Sequence, residues 1–125
     1  MTPKTPMTCG RSMESATPTI EVLYFTGCPN YLPAVALVRD VLRAHGLEAA
    51  PVALIAVESD AEALRLDFHG SPTVRIDGRD VLPLPEGAAP SLACRLYRAA
   101  DGRVLPHPPA EALVAALESW QQRGG

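Results

Sequence analysis

The chain has 125 residues, of which 47% are hydrophobic and 20% charged, with a formal net charge of −3. That length suits one domain around one core, and that balance marks most of it as globular rather than disordered. Interspersed charge signs with no basic run argue against nucleic acid, and apolar stretches far too short to span a bilayer argue against a membrane, so a soluble cytoplasmic protein is expected.

Residues 1–18 are rich in Thr, Pro, Ser and Met without an apolar period, and read as a disordered leader before a domain over 19–125. The leader lacks the apolar core of a signal peptide, and Met7 or Met13 could equally be the start. Its Cys9 reads as a solvated thiol, because a disordered segment cannot preorganise a site. Cys9, Cys28 and Cys94 are too few for a disulfide framework, so reduced thiols are expected.

Residues 19–25 are β-rich and nearly all apolar after Glu21, the pattern of a strand buried on both faces. Residues 30–45 switch to helical period, with Val35, Val38, Val41, Leu42 and His45 on one face and Arg39, Asp40 and Arg43 on the other. Gly46 is placed to end that helix. Between strand and helix lies Gly27-Cys28-Pro29-Asn30-Tyr31, with Pro29 read at the first helical position. A thiol there meets unpaired backbone N–H groups and the positive helix end, which favour a thiolate over a thiol. Tyr31 stands where a Cys-x-x-Cys site would have its second thiol, so Cys28 has no adjacent resolving partner. Tyr31 can hydrogen-bond a sulfur through its hydroxyl or simply cover the site with its ring.

A second strand is expected within 48–57. Ser59-Asp60-Ala61-Glu62 is a capping box opening a short helix to about Phe68, with Ala63, Leu64 and Phe68 inward. Gly70-Ser71-Pro72-Thr73 precedes the run Val74-Arg75-Ile76, and Asp77-Gly78 then signals a tight hairpin into 79–82. Asp77 reads as a turn residue only, and Arg79 with Asp80 as a solvated pair. Residues 83–90 are a Pro-rich loop, 92–98 a further strand, and a turn follows at Asp101-Gly102. The last helix begins after Pro108-Pro109, with Leu113, Val114, Leu117 and Trp120 as its apolar stripe. Strict alternation along 92–98 places Leu92, Cys94, Leu96 and Arg98 on one face, and the two leucines make that face look like core. His69 could serve as a base near the thiol or merely end a helix; His45 reads as structural, and His107 lies in a Pro-rich loop. Neither a phosphate-cradling glycine loop nor a zinc-type ligand pair is present in the sequence, and no cofactor is expected.

The order β-α-β-α-β-β-α plus an extra strand or hairpin predicts an α/β fold with a mixed central sheet flanked by helices. That order, with Gly27-Cys28-Pro29-Asn30-Tyr31 after the first strand and Gly70-Ser71-Pro72-Thr73 before the third, resembles the thioredoxin-like superfamily across 19 to about 122. The resemblance implies that Cys28 is the nucleophilic cysteine, that Pro72 is cis and faces it, and that substrate backbone pairs beside Ser71, Pro72 and Thr73. The segments Leu-Tyr-Phe-Thr-Gly-Cys-Pro-Asn, Gly-Ser-Pro-Thr-Val-Arg-Ile-Asp-Gly-Arg-Asp and Cys-Arg-Leu-Tyr look more closely like small bacterial thioredoxin-like proteins, some carrying the label alkylmercury lyase.

Three functions stand open from the residues. One is thiol–disulfide oxidoreduction, in which Cys28 attacks a protein or low-molecular-weight disulfide and Cys94 or an external thiol resolves the product. Another is binding of Hg(II) or an organomercurial by Cys28 and Cys94 as soft ligands, with or without cleavage of the carbon–mercury bond. The third is a binding module that keeps the fold without the chemistry.

Overall fold

In the computed structural model of the protein, residues 17–84, 87–99 and 101–123 are described. Cys9, Met7, Met13 and most of the expected leader therefore lie outside the described residues, while Pro18 is already buried.

The first strand, β1 (Ile20–Tyr24), has the two-faced burial its apolar run requires. Ile20 and Val22 enter one core and Leu23 another. It pairs in parallel with β2 (Val52–Ala56) and antiparallel with a later strand, β4 (Thr73–Ile76). With β5 (Arg79–Asp80) they form a four-stranded mixed sheet in the order β2-β1-β4-β5. The tight turn into β5 uses left-handed backbone at both Asp77 (φ 50°) and Gly78 (φ 84°), the geometry of a two-residue hairpin. Asp77 does more than turn. Its Oδ1 accepts from the Thr19 amide at 2.8 Å and its Oδ2 from the Trp120 indole at 2.7 Å, joining the hairpin to the start of β1 and to the last helix.

Helix α1 (Tyr31–Ala44) buries Ala34, Val35, Val38, Val41 and Leu42, the stripe its sequence period marks out. It starts after Asn30, so Pro29 lies just outside rather than at the first helical position. It ends as the sequence dictates. Gly46 takes φ 71°, and the Leu47 amide reaches back to the Leu42 carbonyl at 2.8 Å. Helix α3 (Ala110–Gln122) follows Pro109 and packs Leu113, Leu117 and Trp120 with α1 against one face of the sheet.

The opposite face carries α2 (Asp60–Leu66) and a smaller core of Leu23, Val57, Ala63 and Phe68. The Ser59 hydroxyl caps α2 by accepting from the Glu62 amide at 3.1 Å, whereas the Glu62 carboxylate reaches one residue further back than a capping box requires, to the Glu58 amide at 2.8 Å. Leu64, expected inward, is 71% exposed. A seven-residue helix turns only about two turns, so its narrow buried stripe is filled by Ala63 alone.

After α2 the chain forms β3 (His69–Ser71), which pairs in parallel with β6 (Ser91–Cys94) in a separate two-stranded sheet. β7 (Tyr97–Arg98) and β8 (Val104–Leu105) make a small hairpin closed near Gly102. The expected single strand over 92–98 is thus two strands with a break. No described helix is long and apolar enough to cross a membrane.

Candidate functional site

Cys28 ends the turn that leaves β1. Its amide donates to the Phe25 carbonyl at 3.0 Å, which closes the turn and brings the thiol to the start of α1. The Asn30 amide, one of the helix donors without an intrahelical partner, points at Cys28 Sγ from 3.4 Å. On its other side Cys28 Sγ lies 3.8 Å from the Ser71 carbonyl oxygen, to which the thiol donates. The cysteine is only 2% exposed. Tyr31 does not reach the sulfur in a hydrogen bond; its ring stacks on Tyr24, with centroids 4.1 Å apart and planes 12° from parallel.

Ser71 holds the opposite wall. The Ser71–Pro72 bond is cis. The Ser71 hydroxyl accepts from the Phe25 amide at 3.4 Å, tying this loop to the turn that carries Cys28. The Ser71 carbonyl also accepts from the Arg95 amide at 2.8 Å, so one carbonyl faces both Cys28 and β6. Pro72 offers its carbonyl to the Tyr97 hydroxyl at 2.6 Å, and the Thr73 hydroxyl donates to the Gly70 carbonyl at 2.6 Å. Ser71, Pro72 and Thr73 are all buried. The backbone edge at residue 71, expected to receive substrate, is used by the chain itself.

Cys94 stands directly across from Ser71 in the β3–β6 register. Adjacent strands lie about 4.8 Å apart, so Cys28 and Cys94 approach the same residue from two directions. The two thiols sense each other. Cys94 is held above the ordinary thiol range, first by partial loss of water and then by the charge of Cys28. Neither sulfur is in a disulfide.

Simple alternation assigned Cys94 to the core, yet it is exposed, as is Leu96 at 69%. The reason is a register shift. His69 pairs with Ser91 but Ser71 pairs with Cys94, so β6 carries one residue more than β3 over the same span. One inserted residue inverts every side chain beyond it. Leu92, before the shift, still packs on the smaller core; beyond it Arg95 and Tyr97 turn inward and Cys94 turns out.

Arg95 then becomes the anchor of this strand, a role with no signal in the local residue pattern. It is 7% exposed, and its guanidinium donates to the Asp80 carboxylate at 2.7 Å, to the Thr73 hydroxyl at 3.3 Å and to the Leu82 carbonyl. It also lies over the Tyr97 ring, 4.7 Å from the centroid. Asp80 is therefore paired with Arg95 rather than with Arg79 at the surface. Tyr97 is buried, and that loss of water pushes its phenol well above the usual range, opposed by the Arg95 charge and reinforced by Asp80. Gly70 completes the fit. At φ 120° it lies so close to β6 that a Cβ there would meet Arg95 Cβ at 2.8 Å and the Ala93 carbonyl at 3.1 Å.

The remaining candidates lie apart from the thiols or are committed elsewhere. His69 is held at both ring nitrogens, by the Asp67 carboxylate at 2.9 Å and the Ala89 carbonyl at 3.0 Å, which leaves it no free nitrogen to act as a base. Arg75 donates to the Leu66 and Asp67 carbonyls. These residues and Asp80 line a polar cleft of about 440 Å³ that contains neither cysteine. His45 bonds its own helix at Val41, and His107 bonds Pro108. Among the described residues no cluster of three or more His, Cys, Asp or Glu side chains is arranged for a metal ion. Compared with protein-family models, with curated proteins and with solved structures, the chain matches none.

Proposed function

We propose that this chain is a thioredoxin-like thiol–disulfide oxidoreductase of the cytoplasm whose redox pair is Cys28 and Cys94. The fold reading is supported by the sheet order, by the cysteine on the turn between β1 and α1, and by the cis Ser71–Pro72 bond against it. One observation carries the functional reading: Cys28 and Cys94 flank a single residue, Ser71, one through its carbonyl and the other through strand register. On this reading Cys94, far along the chain, supplies the thiol that Tyr31 cannot. A disulfide requires Cα atoms within about 7 Å, the condition this pair must meet when it is oxidised.

The test is oxidation of a Cys9→Ser variant by a glutathione redox buffer. Peptide mapping should find an intramolecular Cys28–Cys94 disulfide, and denatured protein should lose two titratable thiols together. Two thiols that persist while free glutathione is fully oxidised would defeat the redox reading and leave the binding module.

The same observation supports a second reading. Two thiolates on one residue are a ligand pair for a soft, two-coordinate ion such as Hg(II), or for an organomercurial. Titration of the reduced protein should then saturate at one Hg(II) per chain, followed by thiolate-to-metal ultraviolet absorption. Unchanged binding in Cys94→Ala would remove this reading.

A further inference from the structure

We infer that Cys94, not Cys28, is the sulfur that exchanges with the partner, that the partner is a small thiol or its disulfide, and that Cys28 resolves the product from inside. The inference rests on the redox pair proposed above and reverses the order that the sequence resemblance implies.

Exchange at sulfur requires the incoming group to approach the attacked or attacking atom. Cys28 is 2% exposed and enclosed between the Asn30 amide and the Ser71 carbonyl, whereas Cys94 is exposed. An extended peptide gains its affinity by adding a strand to a free edge. The edge at Ser71 is taken: the Arg95 amide fills its carbonyl, and Gly70 lets β6 approach closer than any Cβ would allow. Arg95, buried and bonded to Asp80, holds that strand in place. A small thiol needs only the Cys94 sulfur.

The chemistry balances on this route. When the pair reduces RS–SR, the Cys94 thiol gives its proton to solvent and attacks one sulfur, forming a Cys94–SR bond and expelling RS⁻, which takes up a proton. Cys28 then loses its proton and attacks Cys94 Sγ. The Cys94–SR bond breaks as the Cys28–Cys94 bond forms, and the second RS⁻ leaves and is protonated. RS–SR has gained two electrons and become two thiols; the pair has lost them. In reverse, a thiolate attacks the disulfide at Cys94 and expels Cys28.

The experiment uses oxidised glutathione as the probe, on full-length Cys9→Ser protein carrying either Cys28→Ser or Cys94→Ser, with Ala variants as duplicates and circular dichroism to establish that each is folded. Expected is a stable mixed disulfide on Cys94 in the first, formed about tenfold or more faster than any on Cys28 in the second, with Cys28 becoming equally reactive once denatured. Equal or faster modification of native Cys28 overturns the assignment. The parent Cys9→Ser protein distinguishes the two levels of the argument. If its Cys28–Cys94 disulfide forms but the mixed disulfide lies on Cys28, only this inference fails; if no such disulfide forms, the redox pair fails with it.

Discussion

Arg95→Met is the substitution that most directly tests how the strand carrying Cys94 is held. Methionine keeps much of the side-chain volume and removes the charge. It abandons the Asp80 carboxylate, the Leu82 carbonyl and the Thr73 hydroxyl, and it ends the contact with the Tyr97 ring. The Arg95 side chain is 6% exposed and that of Asp80 16%, so water can only partly replace the lost partner. Removing one member of such a buried pair costs about 3–5 kcal/mol. Because Asp80 keeps some contact with water, the lower end is expected, about 3 kcal/mol. In a domain of this size each kcal/mol lowers the melting temperature by about 4 °C, so a fall of about 12 °C should follow. Urea unfolding of Arg95→Met, Asp80→Leu and the double variant supplies the cycle. The double variant should recover most of the loss, since it leaves no buried charge unpaired. Hydrogen exchange gives a local check, because the Arg95 amide should lose protection as its bond to the Ser71 carbonyl frees. A cost below about 1 kcal/mol, or a double variant no better than the worse single one, would show that the guanidinium does not anchor β6.

Three other predictions follow from neighbouring residues. Gly70→Ala should destabilise the fold more than any loop substitution in Gly78 or Gly87, because only at Gly70 does the new methyl strike the opposing backbone; equal urea midpoints for the three would refute the close approach. Alkylation of native Cys94 should rise with pH along a curve displaced above that of an unstructured thiol, and Cys28→Ala should move the curve part of the way back, since the charge of Cys28 goes while the desolvation stays; an undisplaced curve would separate the two thiols. The Glu58 carboxylate, lowered by the Thr26 hydroxyl and amide, is bound more tightly ionised than protonated, so its contribution is present above its unfolded value of 4.5 and lost as pH falls through its folded value. Glu58→Gln should therefore flatten the acid side of a stability profile measured between about pH 3 and 6, and an unchanged slope there would refute the coupling.

Much of this architecture is written locally. The capping of α2 by Ser59, the end of α1 at Gly46, the hairpin at Asp77-Gly78 and the stripes of α1 and α3 each depend on residues within one or two turns of each other. The place of Cys28 on a strand-to-helix turn is local in the same sense. Asp77 shows where such reading stops: its fitness for a left-handed turn is visible in the sequence, but its bonds to Thr19 and Trp120 span 58 and 43 positions.

What the sequence could not decide is which way β6 faces. Alternation is a rule about one strand, and it assumes that strand's register is unbroken. The extra residue between Leu92 and Cys94 arises from pairing with β3, a partner some twenty positions away, and it inverts the faces beyond it. That is why an arginine lies in the interior and a cysteine lies at the surface. By itself the sequence determined that a cysteine stands on the turn between the first strand and the first helix, and that residue 31 is not a second one. The tertiary structure decided that Cys94 lies across from Ser71, the residue whose carbonyl meets Cys28, because only strand pairing links positions so far apart in the chain.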